Sequence, residues 1–313
     1  MNLPHPTSVH RLAIFLALGS IPGGTALAAD PAPAVAAVPG RAWVQKLFDG
    51  LKAPVPPRRL VGNIYYVGAS GVSSFLITTP VGHILLDTGF EDTVPIITRG
   101  VEQLGFKLTD IRLILGSHAH IDHAGGHARM KKLTGARVVA SVADARVLES
   151  GGMEDFLPWP KDTIRYAPVK VDETVADGGT VTLGGVTLTA HLTPGHTRGA
   201  TTWTMDVTED GRLYRVVFFS STTVNPGVSL RRNPAYPEIV TDYEATFARL
   251  KALPCDIFFC PHGAQFGMPE KFARQDAGEG ARAFVDPAGW HQLLVAVESA
   301  FRTQLAAEQA AAK

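Results

Sequence analysis

The chain has 313 residues, 45% of them hydrophobic, with 29 Lys+Arg against 29 Asp+Glu. It is long enough for one large domain or two small ones, and apolar enough to bury a core. The balanced charge offers no basic surplus of the kind that nucleic acid or an anionic membrane surface attracts.

In chain order, His10 and Arg11 precede the apolar run LAIFLALG, and GGTALAAD then places small residues in an A-x-A arrangement at Ala26 and Ala28. This is the layout of a secretory signal peptide over residues 1–28, and its apolar run is too short to span a bilayer. Cleavage is expected after Ala28 or Ala29, delivering the mature chain to the bacterial periplasm. Residues 29–57 read as a leader and N-terminal segment, opening with the Pro- and Ala-rich ADPAPAVAAVPG. From about residue 59 the chain changes to short β-type runs punctuated by Gly and Pro, as in IYYVGASGVSSFLITTPVGHILLDTG.

The segment DTVPIITRGVEQLGF then carries apolar residues at helical spacing, and DIRLILGS is a short buried strand. HARMKKLTGARVVASVADARVLES reads as helix, strand, helix. A second round follows from about residue 169, with strands in VTLGGVTLTAHL, GATTWTMDV and RLYRVVFF, a helix in YEATFARLKAL, and a strand in CDIFFC. Asp286 as N-cap and Pro287 at the first position open a last helix. Its apolar face is Trp290, Leu293, Leu294, Val297, Phe301 and Leu305. Two successive rounds of strands then helix suggest two packed sheets with helices outside. If DIFFC is a strand, Cys255 and Cys260 stand roughly 16 Å apart, whereas a disulfide tolerates only about 7 Å. They are expected to stay unpaired.

Three loops that follow predicted strands carry histidines: LILGSHAHIDHAGG, LTAHLTPGHTRG and IFFCPHG. Strand-end loops are where a rigid scaffold presents functional groups. The candidate ligands are His118, His120, Asp122, His123, His196 and His262, a neutral imidazole and carboxylate set that suits zinc. Catalytic zinc usually keeps three protein ligands and an open position, so six ligands divide into two sets of three. Two zinc ions roughly 3.5–4 Å apart could share a water and lower its pKa to about 7, which calls for hydrolysis. His83, His127, His191 and His291 read as ordinary surface or core histidines.

LLDTG at 85–89, SHAHIDHAGG at 117–126, TPGHT at 193–197 and PHG at 261–263 follow one another as the motifs of the metallo-β-lactamase superfamily do, and the chain resembles that superfamily over 58–313. The resemblance implies an α/β fold, an αββα sandwich of two packed mixed β-sheets with helices on the outer faces. Within it, YPEIVTDYEATFARLKALPCDIF, PGHTRGATTWT, SSTTVNPG and FVDPAGW are similar to subclass B3. That resemblance implies one zinc on His118, His120 and His196 and a second on Asp122, His123 and His262, with Asp122 a catalytic group as well as a ligand. It implies substrate-carboxylate contacts from Ser221 and Thr223, and a β-lactam amide opened by metal-bound hydroxide. Asp87 is a candidate to orient a ligand histidine, and Phe156, Leu157 and Trp159 are candidates for a cleft wall.

Subclass B1 and B2 enzymes place a cysteine near position 221, where this chain has Ser221. Subclass B3 commonly pairs a cysteine at the position of Cys255 with one in the last helix, where this chain has Trp290. Lactonases and glyoxalase II-like thioesterases of the superfamily carry a metal-bridging aspartate after the strand VVFF, where this chain has Ser220 and Ser221. They remain alternatives, as does a non-enzymatic periplasmic zinc-binding protein. The expected partner is a small-molecule β-lactam, with no nucleic acid and no membrane, acting on a monomer. Sequencing the N-terminus of periplasmic material should give Ala29 or Asp30; an intact Met1 would overturn the signal-peptide reading.

Overall fold

The computed structural model describes residues 35–312, so the expected signal peptide and cleavage site lie outside the described residues. Twelve strands and nine α-helices follow in chain order among these residues. The first sheet contains β1 (Arg58–Val61), β2 (Ile64–Tyr66), β3 (Phe75–Thr79), β4 (Gly82–Leu86), β5 (Ile111–Leu115), β6 (Arg137–Ser141) and β7 (Glu173–Val175). They lie in sequence order; β1 to β4 pair antiparallel, and β4 to β7 parallel. The second contains β8 (Thr180–Leu183), β9 (Val186–Leu192), β10 (Thr201–Glu209), β11 (Arg212–Phe218) and β12 (Ile257–Phe259). Its order is β12-β11-β10-β9-β8, antiparallel except for the β11–β12 pair.

The helices are α1 (Arg41–Asp49), α2 (Val94–Gln103), α3 (Ile121–Ala124), α4 (His127–Thr134), α5 (Val142–Glu149), α6 (Lys161–Ile164), α7 (Ile239–Ala252), α8 (Met268–Arg274) and α9 (Pro287–Ala310). Strand β4 is buried along its whole length. A parallel-sheet strand covered on both faces reads this way, as a continuous apolar run rather than an alternation. On one face, Leu76, Leu85 and Ile114 pack with Val94, Ile97 and Val101 of α2 and Met130 of α4. On the other, the inner faces of the two sheets meet. Phe75 of β3 stands 5.3 Å from Phe218 and 5.2 Å from Phe259, ring centre to ring centre. The expected αββα arrangement is the one observed.

The last helix follows its expected register. Asp286 accepts a hydrogen bond from Gly289 N at 2.8 Å, and all six apolar-face residues are buried. Trp290, standing where the resemblance implies a cysteine, packs on Phe219 and Phe258, each 5.7 Å away. Beside it the buried Lys271 reaches Asp286 at 3.0 Å and lies over the Phe258 ring. Cys255 and Cys260 are both free thiols.

Three expectations need correction. The packed body starts ahead of residue 58, with a helix over Arg41–Asp49. Its first helix, α1, buries Val44 and Phe48, and Phe48 contacts Phe90 at 5.1 Å. Two buried positions in nine residues make too weak a stripe to be read after a Pro- and Ala-rich run. Helix α7 begins at Ile239, ahead of the expected YEATFARLKAL. Finally, Leu157 and Trp159 are core residues rather than a cleft wall: both are buried in the inter-sheet cluster, and Trp159 Nε1 donates to Pro226 O at 2.8 Å. Phe156 is half-buried against Tyr236.

Phe259 is fully buried between the sheets. Phe259→Ala is expected to destabilise the fold by about 3–5 kcal/mol. Urea unfolding should register this as a lower midpoint at an unchanged slope.

Candidate metal centre

The three histidine loops come together at one edge of the two sheets. Residues 116–123 follow β5, residues 193–199 follow β9, and residues 260–263 follow β12. β9 and β11 both run antiparallel to β10, and β12 runs parallel to β11, so their ends fall on the same side. The two sheets are tied there directly: Trp203 Nε1 donates to Gly116 O at 3.0 Å, and Thr201 N to Ser117 O at 2.8 Å.

Two groups of ligand-type atoms result, His118 with His120 and His196, and Asp122 with His123 and His262. Within each group, one such atom per residue lies within 4.8 Å of the others. The groups adjoin, since the His118 and His123 rings are 4.3 Å apart, centre to centre. Asp122 Oδ2 lies 3.1 Å from His123 Nε2 and 3.6 Å from His262 Nε2. All six residues singled out in the sequence are therefore brought together, in the partition the resemblance implies. Cys260 is buried and belongs to neither group.

The outward-facing ring nitrogens have partners that set their tautomers. His196 Nδ1 meets Thr223 O at 2.7 Å, and His262 Nδ1 meets Gly71 O at 2.9 Å. A carbonyl can only accept, so both Nδ1 atoms carry the proton and both Nε2 lone pairs are left for the cluster. At His118 the argument runs through serines. Ser117 Oγ donates to Asp87 at 2.6 Å and Ser220 Oγ donates to Ser117 O at 2.9 Å. Their single protons are used, so both can only accept from His118 Nδ1, at 3.2 and 3.5 Å.

His118 Nε2 is buried without a hydrogen-bond partner, and His123 Nε2 faces only the Asp122 carboxylate of its own group. Leaving one such atom unmade costs about 1–3 kcal/mol. Such an atom inside a group of ligand-type side chains fits a bound cation that accepts its lone pair. Burial pushes the His196 imidazole down to about 3 and His262 down to about 4, with neighbouring histidines adding to the fall. His118 is driven well below the usual range for the same reasons. Neutral imidazole is the ligating form. Burial opposes ionisation of Asp122, yet the surrounding His123, His262 and His120 hold its carboxyl well below the usual carboxylate range. Imidazole nitrogen plus carboxylate is a donor set that suits zinc and similar divalent ions.

Supporting residues come from farther along the chain. Asp87, at the left-handed φ of 59°, accepts from Ser117 N at 2.7 Å as well as from its hydroxyl, and lies 3.8 Å from His123 Nδ1. It thus positions the loop that presents His118. Asp155, which the sequence did not mark, is buried with Oδ2 at 3.1 Å from His120 Nε2. Its charge is the main opponent of the burial that would lower His120, and the His120 imidazole is raised on balance. Asp144 holds the second histidine loop, accepting from Gly199 N at 3.1 Å and Thr197 Oγ1 at 3.2 Å. A side chain at Gly199 would collide with Ser141 Oγ at 2.2 Å, and one at Gly195 with the Tyr243 ring at 2.8 Å. Neither aspartate had a local signal, because each meets its histidine loop only through tertiary packing.

Ser221 and Thr223 lie beside His196. Ser221 Oγ is 3.2 Å from Thr223 Oγ1, which is 3.3 Å from His196 Nδ1. The four histidines read as ordinary lie outside both groups. His127 bonds Thr88 Oγ1 at 2.7 Å, His191 bonds Thr204 Oγ1 at 2.8 Å, His83 stacks edge-on with Phe106, and His291 is exposed.

A fold of two mixed sheets with paired His/Asp groups at one edge defines a class of metal-dependent hydrolases, and the family comparison agrees. The model of the metallo-β-lactamase superfamily matches residues 67–262, and the chain belongs to that superfamily. Among solved structures it resembles the FEZ-1 metallo-β-lactamase of Legionella gormanii, with TM-score 0.80 and 40% identity over 82% of this chain and 97% of that one. It also resembles BJP-1, a subclass B3 metallo-β-lactamase of Bradyrhizobium japonicum, with TM-score 0.77 and 41% identity over 84% and 98%. The chain covers less than two thirds of the first curated relatives it matches by sequence. One of these, a hydroxyacylglutathione hydrolase of Rhodopseudomonas palustris, is 28% identical over 190 residues, 60% of this chain and 61% of that protein.

Two substitutions should separate the two groups. Asp155→Asn is expected to weaken metal binding by His118, His120 and His196 by about 10- to 100-fold. Asp122→Ala should chiefly weaken the group of His123 and His262. Chelator competition with metal analysis would check this; an identical loss in both variants would argue against the partition.

Proposed function

We propose that this protein hydrolyses the amide bond of β-lactams, using two zinc ions held by His118, His120 and His196 and by Asp122, His123 and His262. When bound, such a pair supplies a Lewis acid and lowers the pKa of water to about 7. The chain's own residues then do the positioning. Asp87, Ser117 and Ser220 fix the His118 ring, and Thr223 O fixes the His196 ring. Asp122 stays ionised among the histidines and is available to the reacting water. Ser221 and Thr223 form a hydroxyl pair beside His196, suited to accommodate the carboxylate that β-lactams carry.

The observation that carries the β-lactam reading is the loop after β11. It supplies Ser220 and Ser221 at the cluster, and the next carboxylate, Glu238, comes only just before α7. A thioesterase of the glyoxalase II kind would require a bridging aspartate on that loop. Further support comes from solved β-lactamases at 40–41% identity that this chain covers almost end to end. The hydroxyacylglutathione hydrolases among the sequence relatives favour thioester hydrolysis as the second reading. We place the mature enzyme in the periplasm, on the signal-peptide pattern alone.

Turnover of a chromogenic cephalosporin should be abolished by chelation and restored by zinc. Ser221→Ala removes a hydrogen bond worth about 1.5–3 kcal/mol if charge-assisted, and should lower kcat/KM about ten- to hundredfold at unchanged metal content. Mass spectrometry during turnover should find no substrate attached to the chain. A covalent adduct on Ser220 or Ser221, or turnover confined to S-acylglutathione thioesters, would sink this reading.

A further inference from the structure

Residues 219–238, between β11 and α7, form a connection without strand or helix. Loops longer than about 12–15 residues are uncommon in compact domains and are usually functional. This one begins at the metal centre, where Thr223 O accepts from His196 Nδ1 and, at 2.9 Å, from Tyr243 OH. It then crosses the segment that carries Asp155, through the bond from Trp159 Nε1 to Pro226 O.

Its middle is held from the far end of the chain. Glu308 lies one turn beyond Leu305 on the inner stripe of α9, where the pattern calls for an apolar residue, and it is only 6% exposed. A buried carboxylate is tolerated only when its lone pairs are taken up. Here Leu230 N and Arg231 N donate to it at 3.0 Å, Ser229 Oγ at 2.8 Å and Gln304 Nε2 at 2.9 Å. Consecutive backbone N–H groups turned toward one anion form a nest. Gln304 also donates to Val228 O at 2.9 Å, so both helix residues grip the same four-residue stretch.

We propose that Glu308 is a positioning residue for substrate binding: from the C-terminal helix it clamps Val228–Arg231, and so fixes the loop that carries Ser221 and Thr223 beside His196. Its use in substrate binding rests on the hydrolytic reading above; the clamp itself does not. The loop side exposes Arg231 and Arg232, which makes the clamp directly testable.

Glu308→Ala should be cut by trypsin after Arg231 or Arg232 about tenfold or more faster than wild type, with or without chelator, because proteolysis tracks the population of the opened loop. Metal content should not change. KM should rise several-fold with kcat within about twofold, since substrate contacts loosen while the histidines keep their place. Glu308→Gln, which retains one acceptor, should fall between. If Glu308→Ala does not fold, Ser229→Ala removes one donor from the loop side and should shift the same readouts by a smaller factor. Cleavage at the wild-type rate in the folded variants would overturn the clamp. Faster cleavage with an unmoved KM, for whichever substrate the wild type hydrolyses, would overturn the positioning role. A wild type that opens no β-lactam but cleaves thioesters would overturn only the proposed substrate, and the KM measured on the thioester would then decide.

Discussion

Five imidazoles and a carboxylate share one largely buried space, and the rest of the architecture answers the cost of putting them there. Water would satisfy each ring nitrogen in the unfolded chain, so a folded protein must replace that water on both sides of every ring. On the outer side the replacement is built in: Thr223 O, Gly71 O and the serine pair take the Nδ1 protons of His196, His262 and His118. On the inner side the chain leaves the lone pairs facing one another. That is a poor arrangement for a protein alone and a good one for a protein with divalent cations.

The same constraint explains why so many buried polar residues cluster at this edge. Asp87, Ser117, Asp144, Ser141 and Asp155 are all buried, and each holds a histidine loop or faces a histidine ring. Their hydrogen bonds run between elements distant in sequence, such as Asp144 to Gly199 and Ser220 to Ser117. Precision of this kind needs a stiff base, which the interlocked aromatic core of Phe75, Phe218 and Phe259 supplies directly beneath. The C-terminal helix belongs to the same scheme. Trp290 at one end seals the core and Glu308 near the other grips the loop after β11, so a single helix braces both the sheet and the rim of the site.

What the sequence determined by itself was local and periodic. Alternating or continuous apolar runs marked most of the strands, the stripe from Trp290 to Leu305 marked the last helix to its N-cap, and three strand-end loops marked the six candidate ligands. These are legible because side-chain period and ligand spacing are properties of short segments. Helix α1 was not legible, since two buried side chains on a short helix give little periodicity. Only the tertiary structure decided the tautomers, which depend on carbonyls from other loops, and the partners of Asp144, Asp155 and Glu308. It also moved Leu157 and Trp159 from the cleft to the core. A lone acid or tryptophan in a sequence carries no sign of what will face it. Its partner is chosen when the two sheets close, and burial then fixes whether it is solvated, paired or packed.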